Sequence, residues 1–199
     1  MKLFYSPHMA SAGPLIAAVE SNISIELVSV DIESGKTIDG LKFNSISEKA
    51  CIPVLERDDG SVLTETSAIL LYIASLNGNS SLNNEHNSEA YFRVNEWMSY
   101  FSSEIHKFYT LLFWDIDLKA KREVSRRILE KFKFVEKALE GKEFLVGNKF
   151  SLADIYLYIV IRGVGLINFD ATKFPNVSNF KARFESRPTV QEALARHCV

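Results

Sequence analysis

A polar segment at residues 77–84 is the feature that most limits how this chain of 199 residues can fold. It reads NGNSSLNN, shows no apolar periodicity and consists of residues that favour turns. Strand and helix patterns alternate before it, whereas every apolar pattern after it has helical spacing. The sequence therefore predicts two domains: residues 1–77, a linker at 78–85, and an all-helical domain at 86–199.

The part before this segment has the pattern of a small sheet combined with helices. Strands are predicted at residues 3–5 and 25–32, and the spacing of Ala, Ile and Val at 11–21 predicts a helix between them. A hairpin follows at 53–63, because the Asp-Gly pair in its centre supplies the positive-φ turn that hairpins prefer. Apolar residues at i, i+3, i+4 and i+7 then predict a helix that reaches Leu76. The predicted order is β-α-β followed by β-β-α.

The part after the linker is predicted to be a helical bundle. Its two apolar stripes are Trp97, Phe101, Ile105, Phe108 and Leu112, and then Ile128, Phe132, Val135 and Leu139. The sequence Ser-Leu-Ala-Asp at 151–154 is typical of a capping box, in which Ser151 and Asp154 each bond the other's main chain. The apolar run from there to Ile161 predicts a buried central helix.

The composition excludes several classes of partner. With 23 Lys and Arg against 25 Asp and Glu, the chain has no basic run that could neutralise a nucleic acid backbone. Its longest apolar stretch, residues 155–161, is far shorter than the roughly 20 residues that span a bilayer, and residues 1–7 hold too short an apolar run for a signal peptide. Only Cys51 and Cys198 are present, which favours reduced thiols and a cytoplasmic location. No spacing of His, Cys, Asp or Glu resembles a metal site. We therefore expect no nucleic acid, membrane or metal partner.

Four short motifs, in order along the chain, resemble the glutathione transferase family. They are MKLFYSP at 1–7, Ile52-Pro53, LTETSAI at 63–69 and FSLAD at 150–154, and the whole chain takes part. The segment EIHK at 104–107 is similar to one typical of the bacterial beta class. The resemblance implies an α/β plus all-α architecture, in which an N-terminal thioredoxin-like domain precedes a C-terminal helical bundle. It also implies a homodimer that uses glutathione as co-substrate.

The resemblance implies where glutathione would bind. A cis Pro53 would present the main chain of Ile52 to the cysteinyl part of glutathione, like an added strand. Glu65 and Thr66 would open a helix whose N–H groups favour the γ-glutamyl carboxylate, while Glu65 meets the ammonium group. The implied glutathione-binding residues are Cys51, Ile52, Pro53, Glu65, Thr66, Ser99, Ser103 and Lys107. The implied pocket for a second, apolar substrate comprises Met9, Tyr109, Phe113 and Tyr156.

The residue that activates the glutathione thiol is not the one that the family resemblance implies. The thiol reacts as its anion, so a transferase must lower the thiol pKa. Ala10 stands where the beta class carries a cysteine. Ser11, at the start of a helix, is the first candidate for activation, and an N-cap serine is a compatible interpretation. Tyr5 could donate its phenolic proton instead, or serve only as a packed strand residue. His106 is the remaining predicted catalytic residue.

Three functions follow from these residues. The first is a glutathione S-transferase that conjugates glutathione to small apolar electrophiles, as in detoxification, or reduces peroxides with it. The alternative is a non-catalytic glutathione-binding or protein-interaction member of the same fold, which Ala10 favours. A disulfide reductase that works through Cys51 is the third, although a lone cysteine is more often a small buried apolar residue.

Overall fold

The computed structural model describes residues 1–78, 82 and 84–197, which form two compact units. Unit 1 comprises Met1–Asn83 together with Arg187–Val199, and unit 2 comprises Asn84–Ser186. Within the predicted linker, positions 79–81 and 83 lie outside the described residues, and so does Cys198. The two units therefore divide the chain differently from the predicted domains, because the C-terminal segment belongs to unit 1.

Unit 1 holds a mixed sheet whose strands, among the described residues, lie in the order β3-β2-β1-β4-β5. They are β1 (Lys2–Tyr5), β2 (Glu26–Asp31), β3 (Lys36–Thr37), β4 (Val54–Glu56) and β5 (Val62–Thr64). The central strand β1 is parallel to β2, with Leu3 opposite Leu27, and antiparallel to β4. Strands β4 and β5 form the predicted hairpin, whose turn places Gly60 at a φ of 80°. The short edge strand β3 was not predicted.

Two helices complete the N-terminal part of unit 1. Helix α1 (Ala12–Glu20) connects β1 to β2, since a parallel pair needs a crossover rather than a hairpin. Helix α2 (Thr66–Leu76) follows β5 and packs against α1. The segment from Ala12 to Ala18 is buried throughout, so α1 is a core helix rather than a surface helix. This order is that of a thioredoxin-like domain, which confirms the predicted fold class.

Unit 2 is helical, as predicted. Its helices are α3 (Glu89–Tyr100), α4 (Lys107–Leu111), α5 (Leu118–Ala138), α6 (Leu152–Arg162) and α7 (Pro175–Glu185). Helix α6 is buried from Leu152 to Ile161 and packs against both α3 and α7, so it is the predicted central helix. The predicted stripe on α5 is also confirmed, because Ile128, Phe132, Val135 and Leu139 are all buried.

A π-helical turn, Phe101–His106, joins α3 to α4 and changes which residues are buried there. The wider turn shifts the inward face, so Tyr109 is buried whereas the predicted Phe108 and Leu112 are only partly covered. The predicted stripe is therefore fully buried at Phe101 and Ile105, whereas Trp97, Phe108 and Leu112 are only partly covered. Sequence periodicity assumes 3.6 residues per turn and does not foresee a π turn.

The last helix, α8 (Pro188–His197), packs against α1 within unit 1. Its buried residues Val190 and Ala193 supply the apolar contacts. At its start, the Glu20 carboxylate accepts hydrogen bonds from the Arg187 guanidinium at 2.8 Å and from the Thr189 hydroxyl at 2.5 Å. Helix α8 therefore belongs to unit 1, because its buried face and these polar contacts both involve α1. Among the described residues, no helix is long and apolar enough to cross a membrane.

Candidate functional site

The loop of residues 6–11 follows the central strand β1 and contains the position of the missing cysteine. Its turn is closed by the Met9 N–H, which donates to the Ser6 carbonyl at 3.2 Å. Pro7 occupies the second turn position and His8, at the third, has a φ of 64°, a left-handed conformation that turns usually reserve for glycine. Ala10 is only 9% exposed. The main-chain N–H groups of Ala10 and Ser11 have no acceptor among the described residues.

Ser11 does not cap α1, although it occupies the N-cap position. Its backbone is already helical, and the residue three positions later is Pro14, which has no N–H for a capping oxygen to bind. Its hydroxyl lies instead 2.8 Å from Nε2 of His197 and contacts the main-chain groups of Ser6. Ser11 is 0% exposed. The N-cap interpretation is therefore wrong, and the predicted role of Ser11 in thiol activation gains no support from its surroundings.

Tyr5 is buried on β1, with 6% of its surface exposed. Its ring lies 5.3 Å from the ring of His197, centroid to centroid. The sequence left two roles open for Tyr5, a proton donor and a packed strand residue. Its burial and its ring contact are those of a packed strand residue. His197 itself was not singled out from the sequence, because its partners lie almost the whole length of the chain away.

The segment of Cys51, Ile52 and Pro53 leads into β4. The Ile52–Pro53 peptide bond is cis, as the family resemblance implies. Ile52 is partly buried against an apolar cluster that includes Phe4 and Val54, so its side chain is held while its main chain precedes the strand. Among the described residues, the main chain of Ile52 has no hydrogen-bond partner. Cys51 is an exposed free thiol.

Glu65 lies at the N-cap position of α2 in an unusual backbone conformation. Its φ is 70° and its ψ is 121°, a conformation that non-glycine residues adopt rarely and that functional sites often contain. The carboxylate is exposed and lies 2.7 Å from the Lys49 ammonium group. Thr66, the first residue of the helix, is 7% exposed. An exposed carboxylate thus stands beside the N–H groups that open a helix.

The π-helical turn of unit 2 carries His106, one of the predicted catalytic residues. Nδ1 of His106 lies 3.2 Å from the Tyr156 hydroxyl. Burial lowers the pKa of His106, because the interior disfavours the charged imidazolium. Burial therefore favours the neutral imidazole, which can accept a proton. The π turn itself is a feature that often marks functional sites.

Ser99, Ser103 and Lys107 are exposed at intervals of four residues along α3, the π turn and α4. The Ser103 hydroxyl donates to the Ser99 carbonyl at 2.9 Å. Residues at this spacing lie on one face of a helix, so these three predicted glutathione-binding residues share a polar surface.

The four residues predicted for the second-substrate pocket do not share one environment. Met9 and Phe113 are 42% and 68% exposed. Tyr109 and Tyr156 are buried in unit 2, and the Tyr109 hydroxyl donates to the Val160 carbonyl at 3.0 Å. Burial raises the pKa of Tyr109, which therefore stays protonated. Tyr109 is held inside unit 2 by this bond, so its predicted place in an open pocket is not supported.

Gly163 explains the position of Tyr109, and sequence reasoning missed it. A Cβ at residue 163 would stand 2.6 Å from the Tyr109 ring, closer than any side chain can approach. The glycine therefore leaves the space that the ring fills. The sequence does not indicate that Gly163 packs against Tyr109, because a glycine just after α6 looks like an ordinary C-cap. Only the π turn, which buries Tyr109, makes the contact evident.

Unit 1 also contains an open cavity of about 490 Å³ that the sequence did not predict. It is lined by Ser6, Pro7 and residues 29–34 and 36–38. The cavity thus borders the beginning of the loop of residues 6–11.

Among the described residues, no cluster of His, Cys, Asp and Glu could hold a metal ion.

Comparisons with known proteins match this architecture along the whole chain. The family models described as the N-terminal and C-terminal domains of glutathione S-transferase match residues 1–75 and 97–188. The glutathione S-transferase GstA of Escherichia coli O157:H7 is 33% identical over 98% of both chains. A sphingomonad glutathione S-transferase complexed with glutathione has a TM-score of 0.94 and 34% identity, covering 99% of this chain and 98% of that one. A bacterial beta class glutathione S-transferase of Sphingomonas chungbukensis has a TM-score of 0.94 and 32% identity over 100% of both chains. With the sheet order, the cis Ile52–Pro53 bond and the helical unit in place, the chain belongs to the glutathione S-transferase family.

Proposed function

We propose that this protein is a glutathione S-transferase that binds glutathione on unit 1 and conjugates it to small apolar electrophiles, or reduces peroxides with it. Two observations in unit 1 carry the proposal together: the main chain of Ile52 has no hydrogen-bond partner among the described residues, and the Glu65 carboxylate is exposed at the start of α2. The binding of glutathione by a sphingomonad relative with 34% identity supports the same ligand here.

Each part of glutathione has a matching group in this proposal. The free N–H and carbonyl of Ile52 bond the cysteinyl main chain, as an added strand would. The N–H groups at the start of α2 bind the γ-glutamyl carboxylate, and the Glu65 carboxylate attracts the neighbouring ammonium group. Ser99, Ser103 and Lys107 of unit 2 remain candidates for further polar contacts with the ligand. Met9 and Phe113 remain candidates for contact with an apolar electrophile.

Thiol activation in this proposal does not depend on a serine or tyrosine hydroxyl, because Ser11 and Tyr5 are buried in unit 1. The N–H group of Ala10, just before the positive end of α1, is suited to stabilise a thiolate. His106 is proposed as the side chain that accepts the thiol proton, since burial favours its neutral imidazole. Lowering the thiol pKa by about two units requires roughly 2.7 kcal/mol of differential stabilisation.

The test is a glutathione titration of the purified protein, followed by ultraviolet thiolate absorbance across pH. We expect saturable binding and a thiolate that persists below pH 7. Glu65→Gln should weaken binding about tenfold, because it removes the charge that meets the ammonium group. Glu26→Gln, at an exposed position on β2, is the matched control and should leave binding unchanged.

The outcomes separate the candidate functions. Saturable binding without thiolate formation supports the non-catalytic alternative, which the alanine at position 10 favours. Loss of peroxide or disulfide turnover in Cys51→Ser, with conjugation intact, supports the reductase hypothesis through the exposed thiol. Absence of glutathione binding in the wild-type protein contradicts the proposal.

We also propose that the protein acts as a cytoplasmic homodimer, as the family resemblance implies. The reduced state expected of an exposed Cys51 fits this location. Light scattering coupled to gel filtration measures the mass in solution directly. A mass equal to one chain of 22.5 kDa contradicts the dimer without affecting the proposed chemistry.

A further inference from the structure

The buried contact between Ser11 and His197 joins the loop of residues 6–11 to the end of the chain. Nε2 of His197 lies 2.8 Å from the Ser11 hydroxyl oxygen, and both residues are 0% exposed. We infer that His197 is a positioning residue that holds this loop, and with it the N–H group of Ala10, in place for glutathione. The inference rests on the proposed function and adds a residue to it.

The hydrogen bonds around the Ser11 hydroxyl account for this role. The oxygen lies 3.4 Å from the Ser6 nitrogen and 3.3 Å from the Ser6 oxygen. A hydroxyl has one hydrogen to donate and two lone pairs to accept with. All three contacts are satisfied when Nε2–H of His197 and the Ser6 N–H donate to the oxygen, while the hydroxyl hydrogen goes to the Ser6 carbonyl. The short bond from His197 therefore orients the Ser11 hydroxyl. In that orientation the hydroxyl bonds both the N–H and the carbonyl of Ser6 and so joins the two ends of the loop.

The Ser6 carbonyl makes this closure part of the turn itself. It accepts from the Met9 N–H at 3.2 Å as well as from the Ser11 hydroxyl at 3.3 Å. Both bonds thus draw the two ends of the loop to one oxygen atom. The loop needs this support, because His8 at φ 64° costs energy that a glycine would not.

Helix α8 holds His197 in register with the loop. Its first turn is fixed by the contacts of Arg187 and Thr189 with Glu20, at the end of α1. Near its other end, the Arg196 guanidinium donates to the Ile25 carbonyl at 3.1 Å. The Tyr5 ring packs against the imidazole of His197. Contacts along the whole helix therefore fix the imidazole that reaches Ser11.

A serine beside a histidine is also the arrangement of a hydrolytic nucleophile, but the burial excludes that role here. Ser11 has no exposed surface, so no substrate carbonyl can approach its oxygen. The Ser11 hydroxyl already donates its hydrogen to the Ser6 carbonyl. The pair thus acts on the loop rather than on a substrate.

The test compares three variants of α8 by glutathione titration and by amide hydrogen exchange of the ligand-free protein. His197→Ala should weaken glutathione binding about tenfold, the loss of one buried hydrogen bond, and should speed exchange in residues 6–11 more than in β2. His197→Gln keeps an N–H donor of similar reach and should recover most of the binding. Gln191→Ala changes an exposed side chain of α8 that takes no part in these contacts, and should stay within about twofold of the wild type.

Equal effects of His197→Ala and Gln191→Ala would overturn the inference, since they would report a general loosening of α8. So would unchanged loop exchange in His197→Ala, or a His197→Gln variant as weak as His197→Ala. If the wild-type protein does not bind glutathione, the proposed function fails, and the exchange measurement alone still decides whether His197 holds the loop.

Discussion

Two serines stand at the N-cap positions of buried helices in this protein. The sequence predicted a cap at Ser151, and at Ser11 it left a cap open beside the predicted role in thiol activation. Ser151 begins α6 and forms the predicted capping box with Asp154. Ser11 begins α1 and makes no capping bond at all. Both are almost fully buried, at 4% and 0% exposed, so burial does not distinguish them.

The residue three positions later makes the difference. Asp154 supplies an N–H and a carboxylate, and its carboxylate accepts from the Ser151 N–H at 2.9 Å and from the Ser151 hydroxyl at 2.7 Å. Pro14 supplies neither group. The Ser11 hydroxyl therefore bonds His197, 186 positions away, instead of its own helix. A cap can be recognised from sequence only where the partner within the first turn is able to pair.

The largest expected effect is at Asp154, whose carboxylate also accepts from the Leu145 N–H at 2.9 Å. Asp154→Ala leaves several buried donors without an acceptor, and we expect it to lower the free energy of unfolding by about 3–5 kcal/mol. Urea denaturation monitored by circular dichroism measures this loss. A cost below about 1 kcal/mol would show that the capping box is dispensable.

The pH dependence of stability should carry the signature of Asp154. Burial raises the pKa of its carboxyl from 3.8 to about 6, so the folded protein holds a proton there that the unfolded chain releases. This contribution is fully present below pH 3.8 and is lost as pH rises through about 6. The free energy of unfolding of the wild type relative to Asp154→Asn should therefore fall by about 2 kcal/mol between pH 4 and 6. A difference that is flat or rises over this range contradicts the shifted pKa.

Ser11→Ala should cost less, about 1–2 kcal/mol, because its long contacts to Ser6 are weaker than a carboxylate network. The cost should depend on His197. A double-mutant cycle of Ser11→Ala with His197→Ala should give a coupling energy of about 1 kcal/mol. The cycle of Ser11→Ala with Ser151→Ala is the control, and coupling there as large as with His197 would mean that the effects spread through general loosening.

The smallest effect is expected at Asp117, the N-cap of α5, which accepts from the Ala120 N–H at 2.7 Å on the protein surface. Asp117→Ala should lower stability by about 0.5–1 kcal/mol, since water replaces the lost acceptor. Thermal unfolding of this variant beside Asp154→Ala compares an exposed cap with a buried one. Equal losses would show that burial is not the reason for the size of the Asp154 effect.

Much of the fold could be predicted from local patterns. The hairpin of β4 and β5 followed from its Asp-Gly turn, and the buried α6 followed from an apolar run after a capping box. Prediction from apolar spacing failed where the backbone did not keep the 3.6 residues per turn of an α-helix, and where a helix packed against a distant part of the chain. The π turn at Phe101–His106 moved burial to Tyr109, and the buried face of α8 met α1 rather than the helices of unit 2. Short motifs also predicted the cis Ile52–Pro53 bond and the place of Glu65 at the start of α2, whereas the roles of these residues in binding stay predictions.

By itself, the sequence determined the family, the β-α-β and β-β-α order of unit 1 apart from β3, and the local contacts of Ser151 and Asp154. Those features depend on residues within a few positions of one another. Only the tertiary structure decided what Ser11 and His197 do. Their contact arises where a loop after the first strand meets the last helix, and no spacing along the chain encodes that meeting. Hydrogen bonds in a buried site go to whichever polar group the packing brings near, so their partners become known only once the helices are placed.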